Sequence, residues 1–261
     1  MRPLIVAIDG PAGAGKSTVS RLLSRRLGLS FVDTGALYRT VALSARREGI
    51  ATADDGGLRA LLGRIRISFQ TVGEDNRVFL DGADVSKEIR TPEISLLASA
   101  VSARPVVREG LLGLQRRLAL ETPLGAVLEG RDIGTVVFPD ADLKFFLEAS
   151  PEVRARRRYE ELFQKGGESS LEAVLADQTK RDRDDASRAV APLRAAEDAI
   201  RVDSSGLPLS EVVQRLERTV RERMAARLRV AVRAPAPGRW AAPDQPRPRA
   251  ARRSRMSRSS A

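Results

Sequence analysis

Gly10-Pro11-Ala12-Gly13-Ala14-Gly15-Lys16-Ser17 fills the phosphate-loop pattern G-x-x-x-x-G-K-[ST] at every fixed position. An apolar run, Leu4-Ile5-Val6-Ala7-Ile8, leads into it and reads as a buried strand. A helical pattern follows, with Val19, Leu22, Leu23 and Leu27 on one face. Strand, glycine loop and helix are what phosphate binding needs. The glycines let the backbone curl so that its N–H groups face phosphate oxygens, and the helix N-terminus adds partial positive charge. The pattern assigns Lys16 to the β- and γ-phosphates and the Ser17 hydroxyl to Mg²⁺; with Thr18, the stretch is the candidate ATP-binding segment. The loop alone does not separate a kinase from a GTPase or a motor.

The chain has 261 residues and no histidine or cysteine. That excludes disulfides, thiol nucleophiles and imidazole acid–base chemistry. No secretory leader or long apolar run is present, so the expected location is the cytoplasm, with no membrane partner. The net charge of +11 is concentrated at the C-terminus. Residues 225–261 hold ten arginines and one acid, Asp244, leaving +2 on the first 224 residues. The body is therefore near neutral, and its bulk pI says little about function.

Five short apolar runs read as buried strands: Leu4–Ile8, Ser30–Val32, Ala126–Leu128, Leu143–Leu147 and Ile200–Val202. Each is followed at once by Asp9, Asp33, Glu129, Glu148 or Asp203. Helical patterns cover 17–27, 36–48, 105–120, 151–165, 171–182 and 208–228. Alternating strands and helices imply an α/β fold, a five-stranded parallel sheet with helices on both faces. Ligands of such sheets collect at the carboxyl ends of the strands. The stretch 64–95 departs from this. Ile65, Ile67 and Phe69 alternate, a turn follows, then Val78-Phe79-Leu80 and Asp81-Gly82, a hairpin signal. It reads as a small antiparallel insert, either decorative or a mobile cover for one substrate. Residues 229–261 are rich in Arg, Pro and Ala and read as a disordered tail.

Several charged residues fall at the expected ligand edge. Asp33-Thr34-Gly35 offers an N-cap, with Arg39 one turn on. Arg131 and Asp132 follow the third strand, as an ion pair or as part of a site. Arg154, Arg156, Arg157 and Arg158 open the helix after the fourth strand, and Arg181 to Arg188 form a second charged group. Such runs are usually solvated faces. Here they flank a polar segment, 163–170, and read as a lid over about 154–188 whose arginines close on transferring phosphates. Arg154 and Arg158 are the candidates for that contact. Thr179-Lys180-Arg181-Asp182 mimics a guanine-reading motif, but it sits in a charged helical stretch rather than at a strand end.

Taken together, I-D-G-P-A-G-A-G-K-S-T at 8–18, D-T-G-A-L-Y-R at 33–39, S-x-x-S-A-R-P-x-V-R at 99–108, E-G-R-D-I-G-T-V-V-F-P-D-A at 129–141 and S-R-A-V-A-P-L at 187–193 resemble the bacterial cytidylate kinases. These are P-loop nucleoside monophosphate kinases, and the resemblance spans roughly 3–224. It implies a P-loop kinase-type domain over 1–228, with an acceptor-binding insert at 64–98. It also implies phosphorylation of CMP and dCMP by ATP with Mg²⁺. By the resemblance Asp33, Thr34, Arg39, Ser99, Arg108, Arg131, Asp132, Arg181, Asp185 and Arg188 line the CMP site. The arginines hold phosphate and base, Arg181 and Asp185 meet the sugar, and Thr34 and Asp132 lie near the base. Lys16, Arg131, Arg154 and Arg158 are then the candidate catalytic cations in a chain expected to act as a monomer. Two other readings stay open. One is a small-acceptor kinase of different specificity. The other is a nucleic-acid-binding protein whose arginine-rich tail is the working part.

Overall fold

The computed structural model describes residues 2–72, 75–164 and 166–233. Five parallel strands form the main sheet: β1 (Leu4–Asp9), β2 (Ser30–Asp33), β6 (Gly125–Gly130), β7 (Leu143–Glu148) and β8 (Ile200–Asp203). Their order is β2-β6-β1-β7-β8. All five runs expected from the sequence are therefore strands of one sheet. β1 lies at its centre, paired in register with β6 (Ile8 opposite Glu129) and β7 (Ile8 opposite Phe145).

Alternation along β1 explains why both faces are covered. Leu4, Val6 and Ile8 pack with Val19, Leu23 and Leu27 of α1 (Lys16–Leu27) and with Val212, Val213, Leu216 and Val220 of α8 (Leu209–Arg233). Ile5 and Ala7 face the other way, towards Ala119 of α5 (Pro105–Leu120) and towards Ile133 and Val137. Those last two lie in a π-helical turn, Ile133–Val137, directly after β6. Between β7 and β8 run α6 (Pro151–Gln164) and α7 (Leu171–Ala186).

A third core holds the segment between β2 and α5. It joins Leu37 and Val41 of α2 (Thr34–Arg47), Leu58 and Leu61 of α3 (Asp55–Arg64), and Val78 and Leu80 of β4 (Asp75–Leu80). Ile94 and Val101 of α4 (Pro92–Ser102) and Val107 and Leu111 of α5 complete it. The antiparallel sheet is β3 (Ile67–Val72), β4 and β5 (Ala83–Asp84). Asp81 and Gly82, at φ 50° and 87°, make the two-residue hairpin loop that their sequence predicts. Gly73 and Glu74 of the other expected turn lie outside the described residues.

Sheet fills only the first half of the 64–98 stretch. A 3₁₀ turn, Glu88–Arg90, and then α4 follow, with Thr91 as N-cap accepting from Ile94 N (3.2 Å) and Pro92 at the first helical position. α3 and α4 are absent from the sequence reading. Gly56, Gly57 and Gly63 lower the helix propensity of α3, and burial of Leu58 and Leu61 overrides it. At the C-terminus, α8 continues to Arg233, five residues past its expected end at 228. Arg227 ties the last turns to the body, with Nη1 3.1 Å from an oxygen of Asp142 and Nη2 donating to the Arg2 carbonyl. The expected disordered tail lies, from residue 234 on, outside the described residues. Among the described residues no helix is long and apolar enough to cross a membrane.

Candidate active site

The phosphate loop joins the centre of the sheet to α1. At Gly10 (φ 147°) a Cβ would lie 2.0 Å from the Leu147 carbonyl oxygen, so no side chain fits between the loop and β7. Gly13 (φ 76°) leaves room for Gln178 Nε2, which a Cβ would meet at 2.8 Å. Lys16 is 6% exposed and its Nζ donates to the Pro11 carbonyl (2.7 Å), which parks the cation inside the loop. Ser17 Oγ donates to Glu129 Oε2 (2.8 Å).

Two buried acids at adjacent strand ends back the loop. Asp9 accepts from Ile133 N (2.8 Å) and Gly134 N (2.7 Å), and so fixes the turn that carries Arg131 and Asp132. Burial raises its pKa to about 6, against the lowering effect of those two N–H groups. Glu129 stands opposite Asp33 across the β2–β6 pairing. Burial and then the Asp33 charge raise its pKa to about 7. Burial, followed by the Arg131 charge, lowers Lys16 to about 7. Glu129 and Lys16 act on each other, and the directions follow from desolvation of both groups.

On the far side of the crevice three arginines surround two buried carboxylates. Arg108 pairs with Asp132, donates to the Ser102 carbonyl (3.0 Å) and lies 5.5 Å over the Tyr38 ring. Arg131 Nε donates to Asp185 Oδ2 (2.9 Å), and Arg188 Nη2 lies 2.5 Å from Asp185 Oδ1. Arg188 also donates to the Ser102 hydroxyl (3.1 Å). Arg154 joins the loop at Ala12 to Asp182 of α7, the helix that also carries Asp185, so this cluster and the phosphate loop lie side by side.

The remaining expected residues fall around that crevice. Asp33 caps α2, accepting from Ala36 N (2.8 Å), and its other oxygen accepts from Arg39 Nη2 (2.9 Å). Arg39 Nε is buried with no partner, a donor facing no acceptor. The buried Thr34 hydroxyl donates to the Glu129 carbonyl (2.6 Å). Ser99 lies half-buried on α4, where its carbonyl accepts from the Ser102 hydroxyl (2.9 Å). Arg181 is half-buried on α7. Arg154 is 5% exposed and donates to the carbonyls of Ala149 and Ala12 (2.9 Å each), with Asp182 Oδ2 2.6 Å from its Nη1. Arg158 instead pairs with Glu161 on its own helix (2.8 Å). The guanine-reading look-alike at 179–182 lies inside α7, as its charge pattern implies.

Asp9, Glu129, Tyr38, Ser102 and Asp182 also join the site, although the sequence reading assigned them no such role. For the first two a signal existed, since acidic residues end both strands that flank or back the loop. Tyr38 and Ser102 are fixed positions of the motifs at 33–39 and 99–108, and Asp182 is found only through its contact with Arg154, remote in sequence.

Among the described residues no group of three or more acidic side chains encloses a metal position. The donor set that does exist, the Ser17 hydroxyl with the Glu129 carboxylate behind it, suits a hard cation. Such a cation takes one or two protein oxygens and completes its shell with phosphates and water.

The family model for cytidylate kinase matches residues 6–222. A protein named cytidylate kinase from Geobacter sulfurreducens is 56% identical over 225 residues, covering 86% of this chain and 96% of its own. One of the same name from Citrifermentans bemidjiense is 52% identical over 222 residues, covering 85% and 94%. Among solved structures, a gluconokinase from Sinorhizobium meliloti 1021 aligns with a TM-score of 0.42 at 18% identity, over 88% of this chain and 94% of its own.

Proposed function

The chain belongs to the cytidylate kinase family, and from that premise we propose how its residues carry out the ATP-dependent phosphorylation of CMP and dCMP to the diphosphates. The observation that carries the reading is the juxtaposition of loop and charged cluster. A phosphate loop with a buried lysine faces a cluster of three arginines and two carboxylates at the same sheet edge.

An oxygen of the CMP phosphate attacks the γ-phosphorus of ATP, and the bond to the β-bridging oxygen breaks to release ADP. The attacking oxygen is already anionic, so no general base is required, which suits a chain without histidine. Positioning and charge compensation then do the work. Lys16 turns from the Pro11 carbonyl to the donor phosphates, and the loop N–H groups hold them. Arg39, with its unpartnered Nε, and Arg131 and Arg188 bind the acceptor phosphate and sugar side. Ser17 and Glu129 would hold Mg²⁺, which would supply charge neutralisation on the donor phosphates. Asp132 has one oxygen committed to Arg108 and one left to accept from the cytosine amino group. Uracil would present a carbonyl there, acceptor against acceptor. The β3–β5 insert would cover the acceptor and the 154–188 region the transferring phosphates, and together they would exclude water. All these residues come from one chain, so a monomer suffices. A cysteine-free chain consuming ATP fits the cytoplasm.

The test is ADP formation with MgATP and CMP, dCMP, UMP or AMP in turn. Turnover confined to CMP and dCMP supports both the reaction and the Asp132 base contact. Turnover on UMP or AMP keeps the chemistry and discards the base assignment. No acceptor-dependent turnover overturns the reading.

A further inference from the structure

We propose that Asp182 on α7 is a positioning residue for phosphoryl transfer, acting through Arg154 on the phosphate loop. It deepens the kinase reading above and rests on it. Arg154 comes from α6, and its guanidinium is buried between two backbone carbonyls, one of them Ala12 of the loop. Carbonyls orient a guanidinium but do not cancel its charge, and a buried cation without compensation is costly. Asp182 supplies the compensation at 2.6 Å.

The way Asp182 is held differs from Asp185, one turn later on the same helix. Asp185 uses both oxygens, one on Arg131 and one on Arg188. Asp182 uses one, and its Oδ1 is buried with no partner. One turn earlier on α7, Gln178 repeats the arrangement. Its Nε2 donates to the Arg154 carbonyl (3.4 Å) and fills the space over Gly13, while its Oε1 is buried and unpartnered. Residues 178, 182 and 185 fall on one face of α7. The first two press Arg154 and the loop from outside, and the third grips the acceptor arginines. Asp185, by contrast, has both oxygens committed. A carboxylate joined to a single arginine by one oxygen sets where that arginine points and leaves it able to turn. Asp182 therefore holds the Arg154 guanidinium at the edge of the loop that receives the donor phosphates, on the donor side alone.

The experiment is steady-state ADP formation by the full chain carrying Asp182→Asn. The expected result is a fall of about tenfold in kcat/KM for ATP, within the range for groups in direct contact. KM for CMP at saturating ATP should move by less than about twofold, as for an uncoupled site. In an Arg154→Met background the same Asp182→Asn change should cost less than about twofold, because its target is gone. Equal losses for both substrates, the same loss in both backgrounds, or no loss would each overturn the proposal. If Asp182→Asn does not fold, Asp182→Glu keeps the charge and displaces the carboxylate. A several-fold fall in kcat/KM for ATP with KM for CMP unmoved is then expected, and no change in either overturns the proposal. Calorimetric binding of a non-hydrolysable ATP analogue separates this idea from the kinase reading. About tenfold weaker binding by Asp182→Asn supports the positioning role even if CMP were not the acceptor, and unchanged binding together with unchanged turnover sinks it.

Discussion

The donor half and the acceptor half of the crevice are built in opposite ways. The proposed donor half is built around a single run, Gly10–Thr18, whose path is fixed by glycine geometry, with Arg154 braced against it from α6. The acceptor half is assembled from α2, α4, α5, the turn after β6 and α7, through charged contacts such as Arg108–Asp132 and Arg131–Asp185. A backbone site tolerates changes around it and fails when its few fixed positions change. A side-chain network degrades contact by contact, and each loss leaves a partner unpaired.

The largest effect is expected on the donor side. Lys16→Met removes the one loop cation, and kcat should fall about 10²–10³-fold or more, with thermal unfolding little changed. Steady-state ADP formation and a melting curve together check it. A tenfold loss or less would mean that the acceptor arginines carry the charge compensation instead.

Asp132→Ala is the corresponding break on the other side. It leaves Arg108 buried and unpaired, so the fold should lose about 3 kcal/mol, alongside erosion of the CMP-over-UMP preference. Denaturant unfolding and the two kcat/KM values test the two parts separately. Unchanged preference would remove Asp132 from base reading.

A smaller effect sharpens the comparison through pH. Lys16 sits at about 7 in the free chain, and donor phosphates should raise it again. Binding then takes up a proton, so affinity for MgATP should fall as pH rises from 7 to 9. Calorimetry in buffers of different ionisation enthalpy reads the net uptake, most cleanly between pH 8 and 9, where Glu129, at about 7, is already ionised and no histidine titrates. Stability carries a related sign. Asp9 and Glu129 have folded pKa values raised to about 6 and about 7, so the folded state binds their protons more tightly than the unfolded chain. Their contribution to stability therefore falls as pH rises from about 4 to about 7.

The smallest effect is expected at the C-terminus. A chain ending after Arg233 keeps α8 and the Arg227–Asp142 contact, and turnover on CMP should be unchanged. Loss of turnover in a folded truncated chain would bring the tail into the reaction.

The same contrast explains what the sequence disclosed. The donor loop and all five sheet strands are local patterns, a fixed glycine spacing or an apolar run with an acid at its end, and they are readable without tertiary context. α3 is hidden because its glycines argue weakly for helix and burial in the third core decides the matter, whereas α4 carries a readable start at Thr91 and Pro92 that the alternating pattern before it masked. The π-helical turn at Ile133–Val137 has no local signal at all, since the side chain that shapes it, Asp9, lies 124 residues away at Ile133. On the acceptor side, the resemblance named Arg108, Asp132, Arg131, Asp185 and Arg188. The way they neutralise one another, and the roles of Ser102 and Asp182, emerge only in three dimensions.

The strand order also has a consequence for how the chain is made. Of the five strands of its sheet β1 leaves the ribosome before the rest, and it is the one at the centre, buried along its whole length. Both of its neighbours come late, β6 from residue 125 and β7 from residue 143. During synthesis the six residues Leu4–Asp9 therefore wait without a strand partner while more than a hundred others are added. At roughly 5–20 residues per second that wait lasts on the order of ten seconds, a period in which an apolar strand with open edges is exposed to pairing with the wrong chain.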